Sequence, residues 1–222
     1  MVYRKDFLAN ISPTLADPAL IMFSPGMGLS PFIGEINGLS YAQFLAPGMI
    51  ATTALFTAFF ESSYGFFVRM TFESVFKAML TTPIGVREVV LGEFLWVFVR
   101  AGLMALGVTL VLLVLGLLPN PWSVLICPFI AGFLSLPCAA LGLLATSWVR
   151  NINQFQTVYS FLIAPVYFLS GVFFPLQGQS TLAVLEEFPP LFEVLWHTVA
   201  LLNFTLVVGF LAFRRVGRKL TV

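Results

Sequence analysis

Apolar residues run through this chain in long, nearly unbroken stretches, and the few charged residues fall mostly between them. Six stretches stand out, at about residues 11–33, 41–68, 89–118, 122–148, 155–174 and 192–213. Each is long enough to cross the ~30 Å hydrocarbon layer at ~1.5 Å of helical rise per residue. Lipid offers no partner to an open backbone N–H or C=O, so each stretch must be helical. The first is the most interrupted, by Pro13, Pro18 and Pro25. The pattern predicts an all-α membrane protein, a single domain of six transmembrane helices over residues 1–222.

Composition sharpens this picture. Of the 222 residues, 59% are hydrophobic and 9% charged, against roughly 25% charged in a soluble domain. The net charge of +1 argues against a nucleic-acid binder. Placement of the charges says more than their sum. Arg4 and Lys5 precede the first stretch, and Arg69, Lys77 and Arg87 lie between the second and third. Arg150 lies between the fourth and fifth, and Arg214, Arg215, Arg218 and Lys219 follow the sixth. The other three connections hold Glu35, Glu186 and Glu187 but no Lys or Arg. Ten of the eleven basic residues thus fall on one side, which places both termini in the cytoplasm by the positive-inside rule. The segment after Arg4 and Lys5 carries Asp17, Pro18 and Pro25 and lacks the pattern of a cleaved signal peptide.

The longest cytoplasmic connection carries its own periodicity. Phe72, Val75, Phe76, Met79 and Leu80 recur at helical spacing, with Glu73 and Lys77 as an i, i+4 pair on the other face. Thr82-Pro83 ends the run, so an amphipathic helix is expected at about 71–82. Such a helix either anchors the loop in the interface or docks a cytoplasmic partner.

Three ionisable groups sit at membrane depth: Glu61, Glu93 and Arg100. A lone charge there is costly, so a Glu61–Arg100 or Glu93–Arg100 pair is expected to face the bundle interior. At the start of the fifth stretch, Gln156, Tyr159 and Ser160 share a face with Ile163. They suit helix–helix hydrogen bonding, a substrate path or a dimer seam. At its far end Gly171, Phe174 and Pro175 interrupt the helix, and 175–190 reads as a short outer re-entrant element. Cys127 and Cys138 lack metal-ligand spacing, and His197 is the sole histidine. No phosphate-binding G-x-x-x-x-G-K-[ST] loop occurs. Transport work would therefore draw on another chain or on an ion gradient, and a membrane-embedded enzyme would need more clustered acid–base groups than the chain holds.

Ordered along the chain are Leu15-Ala16-Asp17-Pro18, Phe44-Leu45-Ala46-Pro47-Gly48-Met49, Phe60-Glu61-Ser62-Ser63-Tyr64-Gly65 and Ala78-Met79-Leu80-Thr81-Thr82-Pro83-Ile84. Val90-Leu91-Gly92-Glu93, Phe168 to Pro175 and Pro189-Pro190 come after them. This series resembles the permease family of type-2 ABC exporters, in the branch of nodulation-factor (lipo-oligosaccharide) and antibiotic exporter permeases. The resemblance implies a six-span half-transporter in the bacterial inner membrane that pairs with a second copy and exports an amphipathic glycolipid, lipid-linked saccharide or hydrophobic drug. It implies docking of a cytoplasmic ABC ATPase on the loop helix through Phe72, Glu73, Phe76, Lys77 and Leu80, with ATP and Mg held by that partner and no cofactor on this chain. It also implies an outer gate at Gly171, Phe174 and Pro175. Two features depart from the family: only Val2 to Asn10 precede the first span, and Pro190 leads almost directly into the last. An ion-gradient-driven secondary transporter using Glu61, Glu93 and Asp17 is the alternative, although no internal repeat supports it.

Overall fold

The computed structural model describes residues 28–36, 38–73, 75–118, 122–170, 172–173 and 190–220. A six-residue helix α1 (Gly28–Ile33) leads into two short strands, β1 (Glu35–Ile36) and β2 (Leu39–Ser40). Then come α2 (Tyr41–Thr71), α3 (Val75–Leu80), α4 (Val86–Val114) and α5 (Ser123–Trp148). Helix α6 is built of three consecutive pieces, Gln154–Val158, Tyr159–Ile163 and Ala164–Leu169, and α7 spans Pro190–Leu220.

Among the described residues, four helices are long and apolar enough to cross a membrane: Tyr41–Thr71, Val86–Val114, Ser123–Trp148 and Val199–Leu220. They make the chain a multi-pass helical membrane protein. Most of the first expected span, and the expected re-entrant element at 175–190, lie outside the described residues. The fifth expected span corresponds to α6, whose described helix is shorter than the other four.

Some details differ from expectation. The apolar pattern gives no sign of the β1–β2 hairpin, whose strands pair antiparallel, with Glu35 opposite Ser40 and Ile36 opposite Leu39. So tight a reversal rests on Gly38 at φ 75°, a backbone setting that costs glycine little. Helix α7 continues through Arg214, Arg215, Arg218 and Lys219, which the apolar pattern places beyond its end. Arg and Lys are good helix formers, and Arg215 and Lys219 have partners on α5, described below.

The described chain falls into two compact units. One takes residues up to Phe59 together with Leu95–Ser135, and the other takes Phe60–Phe94 and the residues from Leu136 onward. In the first, α4 and α5 meet through a cluster of Phe98, Phe129 and Phe133, with ring centroids 5.0–6.2 Å apart. Glycine permits this approach: a Cβ at Gly132 would lie 2.9 Å from Phe98 Cε2. Small residues at a crossing are the usual means of close helix packing in lipid. In the second unit the core joins six helices. Phe66, Phe67 and Met70 of α2 pack with Phe76 of α3, Val89 and Val90 of α4, Leu143 of α5, and Ala212, Val216 and Leu220 of α7. Phe155 of α6 completes it.

Large apolar side chains also cover the outside. Leu103 of α4, Leu125 and Phe129 of α5, and Leu206 and Val207 of α7 are all more than half exposed. On a water-soluble protein such a surface would drive aggregation; here it is the surface that meets acyl chains.

Candidate functional site

The site begins with a local break in helix geometry. Glu61–Gly65 forms a π-helical turn inside α2. Such turns are rare and often mark functional positions, because they leave a backbone carbonyl short of its normal partner. Here the deficit is met from α5. The Thr146 hydroxyl is buried and lies 3.1 Å from the Ser63 carbonyl oxygen and 3.3 Å from that of Ser62. Its own Gly142 carbonyl is 3.0 Å away. One hydroxyl proton serves one acceptor at a time, so Thr146 shares its donation between the π turn and its own helix. Thr146→Val keeps the shape and removes the donor. It is expected to cost about 0.5–1.5 kcal/mol, read as a lower melting temperature of the purified chain in detergent.

Two turns of charge sit on this break. The Arg69 guanidinium donates to Glu93 Oε1 of α4 at 2.7 Å through Nη2 and lies 3.6 Å from Glu61 Oε1. Its Nε donates to the Gly65 carbonyl at 3.2 Å. Glu93 is almost fully enclosed at 4% exposure, and Arg69 is about a quarter exposed at 26%. The Glu61 carboxylate lies along the helix beside Gly65, where a Cβ would make an ordinary contact with it at 3.5 Å. The arrangement is a carboxylate–guanidinium–carboxylate triad tying the end of α2 to the start of α4. Its bond to Glu93 is a short charge-assisted one, and its contact with Glu61 is looser.

The cation found on both carboxylates is Arg69, which the apolar pattern assigns to a loop. The physical reason is that α2 runs on to Thr71, so Arg69 belongs to its last turn. Long helical side chains point back toward the N-terminus, which turns this one toward Glu61. The Arg100 guanidinium lies 6.0 Å from the centre of the Trp96 ring on its own helix.

The loop helix is shorter than expected. Phe72 and Glu73 form a turn after α2, and α3 begins at Val75. Its predicted apolar face is divided. Phe76 is buried and stacks on Phe66 with centroids 4.5 Å apart, and Leu80 packs partly against the same core. Phe72 is 66% and Met79 40% exposed, on the open side with Glu73 and Lys77. The π turn at Tyr159–Ile163 of α6 likewise alters a predicted face: Gln156 and Ser160 are exposed, Tyr159 is half-buried and Ile163 is buried. The Tyr159 ring stacks on Phe60 of α2, with centroids 5.5 Å apart. Gly171, Phe174 and Pro175 lie outside the described residues.

Lys219 is a structural contact that sequence reasoning missed. Its Nζ donates to the carbonyls of Thr146 at 2.8 Å and Val149 at 2.6 Å, and it lies 5.5 Å from the centre of the Phe67 ring. A cation at the C-terminus of α5 satisfies carbonyls that helix geometry leaves without partners and complements the helix dipole. No sequence pattern announces this, because the two residues are joined only by packing. Among the described residues no cluster of His, Cys, Asp or Glu is fit to hold a metal ion.

The profile of a family described as ABC-2 type transporter matches residues 15–192. The chain belongs to the ABC-2 type transporter family. This ABC-2 permease is 36% identical over 179 residues to nodulation protein J of Rhizobium leguminosarum bv. viciae, an alignment covering 80% of the chain and 68% of that protein. It is 33% identical over 178 residues to nodulation protein J of Rhizobium meliloti (strain 1021), covering 80% and 67%. It is 27% identical over 178 residues to the inner membrane transport permease YadH of Escherichia coli (strain K12), covering 78% and 67%. No solved structure matches it significantly. The resemblance drawn from the ordered motifs is thus upheld. The ABC-2 permease is the membrane component of an ATP-driven transporter, and ATP hydrolysis belongs to a partner chain.

Proposed function

We propose that this permease exports an amphipathic lipid-linked saccharide across the bacterial inner membrane, as one of two copies each docked to a cytoplasmic ATPase. Similarity to an inner membrane transport permease supports the membrane, and the motif resemblance to lipo-oligosaccharide exporter permeases supports the substrate class. In this reading the chain has six spans, including α6 and one span preceding β1. Both termini face the cytoplasm, and residues 175–190 form the outer re-entrant element.

The observation that carries the mechanism is the two-sided setting of α3. Phe76 enters the core shared by α2, α4, α5 and α7, and the opposite side presents Glu73, Lys77 and Met79 to solvent. A partner that moves α3 therefore also moves Phe66, next to the π turn and the Glu61–Arg69–Glu93 triad. Closure of the ATPase pair on ATP would bias the spans between two arrangements through this contact. Gln156, Tyr159 and Ser160 of α6 fall to the substrate path or the seam between copies.

The test uses the outward side alone, so that the core stays intact. Lys77→Glu with Met79→Asp should reduce co-purification of the cognate ATPase subunit by roughly tenfold or more, as expected for charge changes within an interface, while the melting temperature stays near wild type. Full retention of the ATPase by this variant would show that α3 is only a surface anchor.

A further inference from the structure

The last turns of α7 hold a feature that ATPase docking and transport do not use. Leu206, Val207, Phe210, Leu211, Arg214, Arg215 and Arg218 succeed one another at helical steps down one side of α7. The stripe is apolar and open through Leu206 at 70%, Val207 at 61%, Phe210 at 55% and Leu211 at 46% exposure. It then turns abruptly basic, and Arg214, Arg215 and Arg218 are exposed. Two aromatic rings sit at the change of character. The Arg214 guanidinium carbon lies 4.9 Å from the centre of the Phe210 ring, and that of Arg215 lies 5.2 Å from the Trp148 ring on α5. Trp148 is itself 61% exposed, and Arg150 is exposed two residues further on.

A ring contact orients a guanidinium but cancels none of its charge. Among the described residues Arg214 and Arg215 have these rings as neighbours and no carboxylate partner. An exposed apolar stripe that an acyl chain can lie along therefore runs directly into a pair of oriented cations, at the level where an indole marks the membrane interface.

We infer that the Trp148–Arg214–Arg215 face of α5 and α7 is a binding seat for the headgroup of an anionic phospholipid in the adjoining leaflet, the cytoplasmic one in the proposed topology. Its occupant is a resident lipid and not the exported cargo. Exposed basic residues beside a membrane span attract anionic lipid, and the ring contacts hold these two in place at lower entropic cost than free side chains. The inference rests on the proposed topology only for the naming of the leaflet. It does not depend on ATPase docking.

The test is native mass spectrometry of the full-length permease, purified in detergent and titrated with phosphatidylglycerol, with phosphatidylcholine of the same acyl chains, or with inorganic phosphate. Phosphatidylglycerol should be retained preferentially. The Arg214→Gln, Arg215→Gln variant should lose roughly 25-fold in that preference, about fivefold per arginine. The Arg214→Lys, Arg215→Lys variant should keep most of it, which separates loss of charge from loss of fold. Equal retention of the two lipids by the wild type would overturn the proposal, as would unchanged preference in the Gln variant. Competition by inorganic phosphate at the same concentration as the lipid would identify a phosphate site and overturn the lipid assignment.

Discussion

Arg69→Gln is expected to destabilise the permease by about 3 kcal/mol or more, as breaking one side of a buried ion pair does. Glutamine can still donate to one carboxylate, but it brings no charge. Glu93, at 4% exposure, would then lose the charge-assisted bond that Arg69 donates to it at 2.7 Å. Arg69 is a quarter exposed, which tempers the loss toward the lower end of the usual range for buried pairs. Thermal unfolding in detergent, monitored by size-exclusion chromatography, measures the effect. The decisive comparison is the double variant Arg69→Gln, Glu93→Gln, in which the buried carboxylate is also removed. It should be more stable than Arg69→Gln alone, because a neutral amide is cheaper to bury than a carboxylate that has lost its guanidinium. Strictly additive losses would show that the 2.7 Å contact contributes little and that the triad is not a unit.

Phe76→Ala should be comparably severe for a different reason. Phe76 is 5% exposed and stacked on Phe66, and truncating a buried phenylalanine costs about 3–5 kcal/mol. The functional consequence comes from the length of α3. Six residues cannot hold a helix in water without tertiary support, and Phe76 is the buried residue by which α3 is held. The variant should therefore become sensitive to protease within residues 71–85 and should fail to stimulate the partner ATPase, although Lys77 and Met79 are unchanged. Phe76→Leu keeps most of the buried surface and should retain stimulation. Resistance of the Phe76→Ala loop to protease would contradict the anchoring role given to this ring.

How much of this could be read from the chain alone depends on what kind of force sets each feature. The four long spans were readable because a bilayer admits only internally hydrogen-bonded segments, and the apolar runs that satisfy this are continuous in sequence. The family was legible in motifs in sequence order, and the profile match to residues 15–192 agrees with it.

Features that depend on contacts between helices were not readable in the same way. Arg69 looked like a loop charge because apolar periodicity stops near Val68, and helix propensity does not stop with it. The face shared by Gln156, Tyr159, Ser160 and Ile163 holds for a regular helix, and the π turn at Tyr159–Ile163 rotates the residues beyond it. Phe72 and Phe76 were grouped by spacing, yet the turn after Thr71 leaves one outside and the other in the core.

Local order along the chain was thus enough to establish a multi-pass helical permease and its family, since hydrophobicity and motif order are one-dimensional. The choice of Arg69 as the cation between two carboxylates, the Thr146 hydroxyl on the π turn and the Lys219 ammonium on the end of α5 came only from the fold. Each joins groups from different helices, and such pairings are decided by which helix ends the packing brings within hydrogen-bond reach.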